Sequence, residues 1–208
     1  NGFFTDKIPY KFEKHRMDLV ANLIEKENPD ILILCEAYFW PFVIQHSFKN
    51  VKDLFISIFD IKVPSENMFR WAPVIISKFP IKSETISEYY KNGIRGFVEI
   101  NGKKIIVDGI HPSPHQLTEQ KRLSWIKKIT KDKKSKYIIA GDFNSLSPFD
   151  KYDKEKLISG LKYVYKDKTK KIVDDMFSCK TIKYLLKDCF VDTCKELGKK
   201  WGYTHHTN

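Results

Sequence analysis

The first part of the chain places an amphipathic stretch before a continuous apolar run. Apolar side chains recur at helical spacing over residues 12–26, with charged residues on the other faces, which predicts an amphipathic helix. The Asn-Pro-Asp segment at 28–30 ends that helix, because proline disfavours a helical residue before it. The run ILILC at 31–35 is apolar throughout and predicts a short strand, buried on both faces, that ends at Glu36.

Patterns of the same two kinds recur later in the chain. The Asn-Gly pair at 101–102 predicts a tight hairpin turn, because both central residues of that turn need positive φ. We interpret the lysine- and aspartate-rich segment 151–171 as a helix with a solvated loop, and 184–197 as a closing helix, loop and strand. The other predicted elements are strands at 74–77, 96–100, 104–108 and 136–140 and a helix at 117–129. Short strands mixed with helices predict an α/β layered fold.

Length and charge narrow the class of protein. A chain of 208 residues has the usual length of one domain and can bury a sizeable core. Its 37 basic residues, only four of them arginine, exceed the 26 acidic residues, and the net charge is +11. Such a positive field favours anionic partners: nucleic acid, phosphorylated metabolites or acidic lipid. The alternative is that the charge reflects only a soluble, lysine-rich surface.

The four cysteines predict a reducing compartment. Cys35 lies in the apolar run, which indicates a buried core thiol, and no two cysteines form a CxxC pair. A disulfide between Cys179 and Cys189, or between Cys189 and Cys194, stays open. No apolar run reaches the length that crosses a membrane, and no signal peptide is visible. We therefore expect a cytoplasmic monomer without a transmembrane segment.

Two predicted strands end in carboxylates. Glu36 follows ILILC, and Asp142 follows YIIAG. A carboxylate at the mouth of a sheet is held by rigid backbone and suits a hard cation such as Mg²⁺ or Mn²⁺, which prefers oxygen ligands. Asn144 comes two residues after Asp142, so both side chains point to one face if the strand continues. Taken alone, either acid is better explained as a turn-capping or solvated residue.

A histidine also follows a predicted strand. His111 comes after KIIVDG and before a Pro-Ser-Pro segment. A histidine at a strand end can donate to a phosphate oxygen or exchange a proton near neutral pH. A structural histidine, hydrogen-bonded in a turn, is the alternative. The adjacent His205 and His206 would face opposite ways on a strand, so they do not predict a metal pair.

Five segments occur in an order that resembles one superfamily. They are NPDILILCEA, WAPVIISKFPI, KIIVDGIHPSP with a later RL, KYIIAGDFNSLSP and FVDTCKELGKKWGYTHHTN. Together they resemble the endonuclease/exonuclease/phosphatase superfamily of deoxyribonuclease I-like proteins, over nearly the whole chain. The resemblance implies a four-layered α/β-sandwich, in which helices flank two packed mixed β-sheets, and a single domain over residues 1–208.

The resemblance implies a role for each matching residue. Glu36 is similar to the metal ligand, with Mg²⁺ or Mn²⁺ as the cofactor. Asp142 is similar to the residue that positions or deprotonates the attacking water. Asn144 resembles a phosphate-orienting donor, and His111 the histidine that hydrogen-bonds the scissile phosphate. The implied chemistry is in-line attack of water on phosphorus by a metal-dependent hydrolase.

The resemblance is incomplete at both ends of the chain. Family members begin with a strand of the type W-N-x-N-G, of which only Asn1-Gly2 remains, so Asn1 is a second metal-site candidate on that match alone. The family's closing R-I-D-Y and S-D-H segments have no counterpart after Thr204. We therefore expect a domain without its first strand and its S-D-H segment, and little or no activity from these residues alone.

Three functions stay open for this site. The first, which the positive charge favours, is a nuclease acting on DNA or RNA, with Arg70 and Arg95 as candidate substrate-binding residues. Each arginine has the alternative of a surface ion pair or core packing. The second function is a phosphatase or phosphodiesterase for a small-molecule or lipid-headgroup phosphate. The third is a catalytically dead nucleic-acid-binding module.

Overall fold

The computed structural model describes six stretches of the chain, which fall into two compact units. Unit 1 takes in residues 1–111 and 132–142, and unit 2 takes in 112–131 and 143–208. The described stretches are 14–35, 55–57, 73–88, 91–113, 117–131 and 136–198.

Short strands alternate with helices, as the hydrophobic pattern predicts. In the described stretches the strands are β1 (Ile31–Leu34), β2 (Phe55–Ser57), β3 (Val74–Ser77), β4 (Ile81–Thr85), β5 (Lys91–Ile100), β6 (Lys103–Pro112) and β7 (Lys136–Gly141). The α-helices there are α1 (Lys14–Glu27), α2 (Glu119–Ile129), α3 (Lys154–Tyr165), α4 (Thr169–Phe177), α5 (Lys180–Lys187) and α6 (Thr193–Glu196). A 3₁₀ turn, Lys166–Lys168, joins α3 to α4.

The first sheet of unit 1 has β3 at its centre. β1 and β2 both pair with β3 in the antiparallel sense, so the order is β1-β3-β2. The pairing places Leu32 opposite Ile76. All four residues of β3 are buried. The four residues of β1 are only partly buried, so the predicted burial of that strand on both faces is wrong.

The second sheet of unit 1 has the order β4-β5-β6-β7. β4 and β5 are antiparallel, whereas β6 and β7 are parallel, so this sheet is mixed. The turn between β5 and β6 has positive φ at both Asn101 (51°) and Gly102 (72°). That geometry confirms the predicted Asn-Gly hairpin.

The two sheets of unit 1 share one hydrophobic core. The buried centre of that core is formed by Ile75, Ile94, Val98 and Val107. The sheets approach each other closely at Gly109 of β6, where a Cβ would lie 3.2 Å from the Ile33 side chain of β1. Two packed sheets in a chain of mixed strands and helices confirm the predicted α/β sandwich class.

Unit 2 is helical in its described part. The side chain of Thr118 caps α2 by accepting a hydrogen bond from the Lys121 backbone nitrogen. α2 contacts α5, and α3 contacts α4. None of the described helices has the length and apolar content needed to cross a membrane.

Two predicted segments take a different form. The segment 151–171 is helical over most of its length, because Asp153 caps α3 and the 3₁₀ turn leads directly into α4. The expected solvated loop is therefore wrong. The closing segment 184–197 contains the end of α5 and the short helix α6, and no described residue there forms a strand. Asp192 starts α6 by accepting from the backbone nitrogens of Cys194 and Lys195.

Candidate functional site

Parallel pairing of β6 and β7 brings two predicted catalytic residues together in unit 1. Ile110 of β6 is opposite Gly141 of β7, and His111 and Asp142 are the next residues along the chain. His111 Nε2 lies 3.9 Å from Asp142 Oδ2, with the histidine side chain 5% exposed and the aspartate side chain 48% exposed. β6 extends to Pro112, so His111 lies inside the strand and not after it as predicted. A protected imidazole thus faces an accessible carboxylate.

A glycine makes this approach of the two strands possible. Gly141 has φ of +131°, a backbone conformation that residues with a side chain rarely adopt. A Cβ at this position would collide with the carbonyl oxygen of Ile110 and lie 2.9 Å from its nitrogen. The glycine of the GDFN segment is therefore required by the backbone that presents Asp142.

The thiol of Cys35 lies beside the same backbone. Its Sγ accepts a hydrogen bond from the Asp142 nitrogen at 3.3 Å and donates to the Ile110 carbonyl at 3.5 Å. Cys35 is half-buried and not fully buried as predicted, and it touches the candidate site. It is also the residue directly before Glu36 in the sequence.

Asn144 holds the backbone of its own loop in unit 2. Its φ of 47° lies in the left-handed region, which asparagine tolerates better than most residues. Its Nδ2 donates to the Pro112 carbonyl oxygen at 2.8 Å. Pro112 directly follows His111, so the side chain of Asn144 ties the GDFN loop to the residue after the histidine.

Arg95 is engaged by a buried carboxylate in unit 1. Its Nε and Nη2 donate to the two oxygens of Asp108 at 2.8 Å and 2.7 Å. Nη2 also donates to the Tyr137 hydroxyl at 2.8 Å, and that hydroxyl donates to Asp108. The three side chains come from β5, β6 and β7. This network supports the ion-pair alternative for Arg95, and its substrate-binding role stays a prediction.

Burial and charge together shift the pKa values of Arg95, Asp108 and Tyr137. The hydrogen bond to Asp108 raises the pKa of the Arg95 guanidinium, which keeps it protonated. Burial raises the pKa of the Tyr137 phenol, and the negative charge of Asp108 adds to that shift. Burial also raises the pKa of Asp108, although hydrogen bonds from Arg95 and Tyr137 oppose it. Arg95 and Asp108 thus form an ion pair within the sheet, and the Tyr137 hydroxyl is hydrogen-bonded to it.

The predicted metal-binding residues are not described by the structure. Asn1 and Glu36, like the substrate-binding candidate Arg70, lie outside the described residues, so these assignments stay predictions. Within the described stretches, no group of three or more His, Cys, Asp and Glu side chains could hold a metal ion. The accessible Asp142 carboxylate, next to Cys35, is nonetheless the kind of oxygen donor that Mg²⁺ and Mn²⁺ prefer.

Sequence reasoning missed two features of this region. Cys35 contacts the backbone of Asp142, which lies 107 positions later in the sequence. The apolar run that contains Cys35 predicts a strand but gives no indication of this distant contact. Arg95 and Asp108 flank the predicted hairpin turn, but their contact depends on how the two strands pair. All four cysteines are free thiols, so neither of the disulfides left open by the sequence forms.

Two facing sheets, with His111 and Asp142 close together on adjacent strands, define an α/β sandwich. The profile of the Endonuclease/Exonuclease/phosphatase family matches residues 6–207. The match covers nearly the whole chain, and the chain therefore belongs to this family. Members of the family are hydrolases of phosphoester bonds. Comparison with the curated proteins gives no match.

Several solved structures share the fold. The human Nocturnin catalytic domain with bound sulfate anion aligns with a TM-score of 0.51 and 20% identity, over 66% of this chain and 59% of that chain. A family protein from Leptotrichia buccalis aligns with a TM-score of 0.50 and 15% identity, over 70% of this chain and 64% of that one. Humanized D. rerio TDP2 aligns with a TM-score of 0.49 and 18% identity, over 64% and 57%. The chain thus spans less than two thirds of each of these structures, and the likeness concerns the fold.

Proposed function

We propose that the protein is a divalent-metal-dependent phosphodiesterase that hydrolyses nucleic acid. The observation that carries the proposal is the pairing of His111 and Asp142, a protected imidazole and an accessible carboxylate 3.9 Å apart on adjacent strands. The family's phosphoester chemistry supports the reaction class. The net charge of +11 supports a polyanionic substrate, because a positive field attracts it and raises its association rate.

His111 and Asp142 divide the chemistry between them. Asp142 orients a water and takes its proton as the water oxygen forms a bond to phosphorus. His111 donates a hydrogen bond to a non-bridging phosphate oxygen and stabilises the negative charge that develops there. The phosphorus–oxygen bond opposite the water breaks, and the leaving oxygen takes a proton from solvent. Burial of the imidazole fixes its direction before the substrate arrives.

Two further assignments complete the proposed site. Asn144, which holds the GDFN loop onto the Pro112 carbonyl, positions that loop and orients the phosphate. Glu36 and Asn1 are the proposed metal-site residues. A bound Mg²⁺ or Mn²⁺ would supply a positive charge that neutralises the phosphate and polarises its oxygen.

Hydrolysis of bis-p-nitrophenyl phosphate by the full-length protein tests the proposal. We expect cleavage with Mg²⁺ or Mn²⁺ and none after chelation with EDTA. Asp142→Asn should lower kcat by about a hundredfold or more, because it removes the proton acceptor. Asp30→Asn is the matched control: it loses an exposed carboxylate that pairs with Lys78, and it should retain the activity.

The choice of substrate decides between the candidate functions. Cleavage of DNA or RNA strands that is lost in Asp142→Asn would support the nuclease assignment. Cleavage of p-nitrophenyl phosphate without diester cleavage would overturn it in favour of a phosphatase. Failure to cleave any of these substrates with either metal would overturn the enzymatic assignment in favour of a binding module.

A further inference from the structure

Helix α3 presents an aromatic ring to solvent at the centre of its outward face. The side of α3 that is turned inward is formed by the half-buried residues Lys154, Leu157, Ile158, Leu161 and Tyr165. Tyr163 projects from the opposite side and is 92% exposed, and the neighbouring Val164 is 61% exposed. A ring in this position buries almost no apolar surface, so core packing does not explain it.

The segment that carries this ring is rich in lysine. The segment 151–171 contains eight lysines and three acidic residues, a net charge of +5 out of the chain's +11. Lys154 is paired with Asp174 at 2.6 Å and lies over the Phe177 ring, so its charge is paired within unit 2. The other seven lysines of the segment are exposed, and none forms an ion pair within the described part of the chain. Their positive charges therefore face solvent, together with the three exposed acidic residues of the segment, Asp153, Glu155 and Asp167.

The outward face of α3 has room beside the ring. Lys156, Gly160 and Tyr163 follow one another at spacings of four and three residues, so they share one side of the helix. A Cβ on Gly160 would meet no atom within 4 Å. Lys162 precedes the ring in the chain, and Lys166 follows it at the end of the helix. An exposed ring thus shares its helix face with the open space at Gly160, on a helix that carries exposed lysines.

We infer that this surface binds single-stranded nucleic acid. The Tyr163 surface consists of Lys156, Gly160, Lys162, Tyr163 and Lys166, none of which belongs to the hydrolytic pair. Unpaired bases expose their faces and stack on an aromatic ring, while lysines contact the phosphates of the same strand. The inference rests on the proposed function. It adds that the nucleic acid substrate is single-stranded.

Other anionic partners fit this surface less well. A duplex keeps its base faces stacked inside the helix, so it offers nothing to an exposed ring except its phosphates. A helix that lies on a membrane needs a broad apolar face. The exposed residues of α3 instead include one aromatic residue and one neighbouring valine among lysine, glutamate, serine and glycine. The exposed ring therefore favours an unpaired base over a lipid surface.

Anisotropy of fluorescein-labelled oligothymidylate, measured in EDTA, tests the inference. Tyr163→Ala should weaken binding by about tenfold through the loss of stacking, and Tyr163→Phe should retain it. Lys162→Ala with Lys166→Ala should reduce the slope of log K against log salt by about 1.4, because two phosphate contacts are lost. The matched control, Lys103→Ala with Lys104→Ala at the exposed hairpin of unit 1, removes the same charge and should leave the slope nearly unchanged.

Three results would overturn the inference. The first is an unchanged affinity for the oligonucleotide in Tyr163→Ala, and the second is a salt slope reduced as much by the hairpin control as by Lys162→Ala with Lys166→Ala. The third is Tyr163-dependent binding to phosphatidylserine vesicles in the absence of oligonucleotide binding. Circular dichroism checks that each variant is folded, and Tyr163→Gln is the second variant if Tyr163→Ala is not. Because EDTA prevents turnover, strand binding is measured independently of hydrolysis. A protein without hydrolytic activity can therefore still support the inference, and an active one can still refute it.

Discussion

The guanidinium of Arg122 lies 3.1 Å from the carboxylate of Glu119, three residues earlier on α2, and both side chains are excluded from solvent. The second Glu119 oxygen accepts a hydrogen bond from the Thr181 backbone nitrogen at 2.9 Å. Arg122 also donates to the Leu117 carbonyl at 2.7 Å. One buried ion pair therefore joins the start of α2 both to α5 and to the chain segment before it.

Removing one partner of this pair should destabilise unit 2 strongly. Arg122→Met leaves the Glu119 carboxylate buried without its opposite charge, and we expect a loss of about 3–5 kcal/mol in the free energy of unfolding. Urea denaturation followed by circular dichroism measures the loss. Lys121→Met changes an exposed neighbour and should leave the unfolding transition in place. A loss below about 1 kcal/mol for Arg122→Met would contradict the structural role of the pair.

Two glycines should respond in opposite ways to alanine. Gly141→Ala forces a Cβ against the Ile110 carbonyl at φ of +131°, so it should lower stability by at least about 1–3 kcal/mol and displace Asp142. Gly160→Ala fills open space within α3 and should raise stability by about 0.5–1 kcal/mol, because alanine favours the helix. Thermal unfolding of the two variants compares them directly. Equal destabilisation by both changes would refute this account.

The raised pKa of Tyr137 predicts a loss of stability in alkali. Burial raises this pKa above the unfolded value of about 10, so the neutral phenol is favoured in the folded state. Its contribution is complete below about pH 10 and is lost as the pH rises further, by up to about 1.4 kcal/mol per pH unit. Tyr137→Phe should make the decline of unfolding free energy shallower between pH 10 and pH 11, as measured in urea. Tyr163→Phe changes an exposed ring and should keep the wild-type slope; a wild-type slope in Tyr137→Phe would exclude the proposed cause.

The cysteines should differ in their reactivity. Cys189 and Cys194 are exposed, whereas Cys179 is buried, and burial raises the pKa of its thiol although Lys183 opposes that effect. The thiolate is the reactive form, so iodoacetamide should label Cys189 and Cys194 before Cys179 at neutral pH. Cys179 should become reactive as the pH rises or when urea unfolds the chain. Peptide mass spectrometry reads each site, and early labelling of Cys179 in the folded protein would count against its burial.

Local signals were sufficient for much of the fold. The apolar runs at 31–35 and 74–77 correspond to β1 and β3, and the Asn-Gly pair forms the predicted turn between β5 and β6. The predicted strand at the end of the 184–197 segment is wrong, because Asp192 caps the short helix α6 there. Turns and helix caps are set by only three or four residues, and a short helix, a turn and a strand differ little in free energy over such a segment.

The sequence by itself determined the family, the α/β class and the identity of His111 and Asp142 as site candidates, because ordered motifs and apolar runs are properties of the linear chain. Only the tertiary structure decided that these two side chains lie 3.9 Å apart, that Cys35 contacts the Asp142 backbone, and that Arg95 is paired with Asp108. These relationships depend on which strands pair and in which register. A shift of one residue would turn every side chain of a strand to the opposite face, and the packing of the whole sheet selects among those registers.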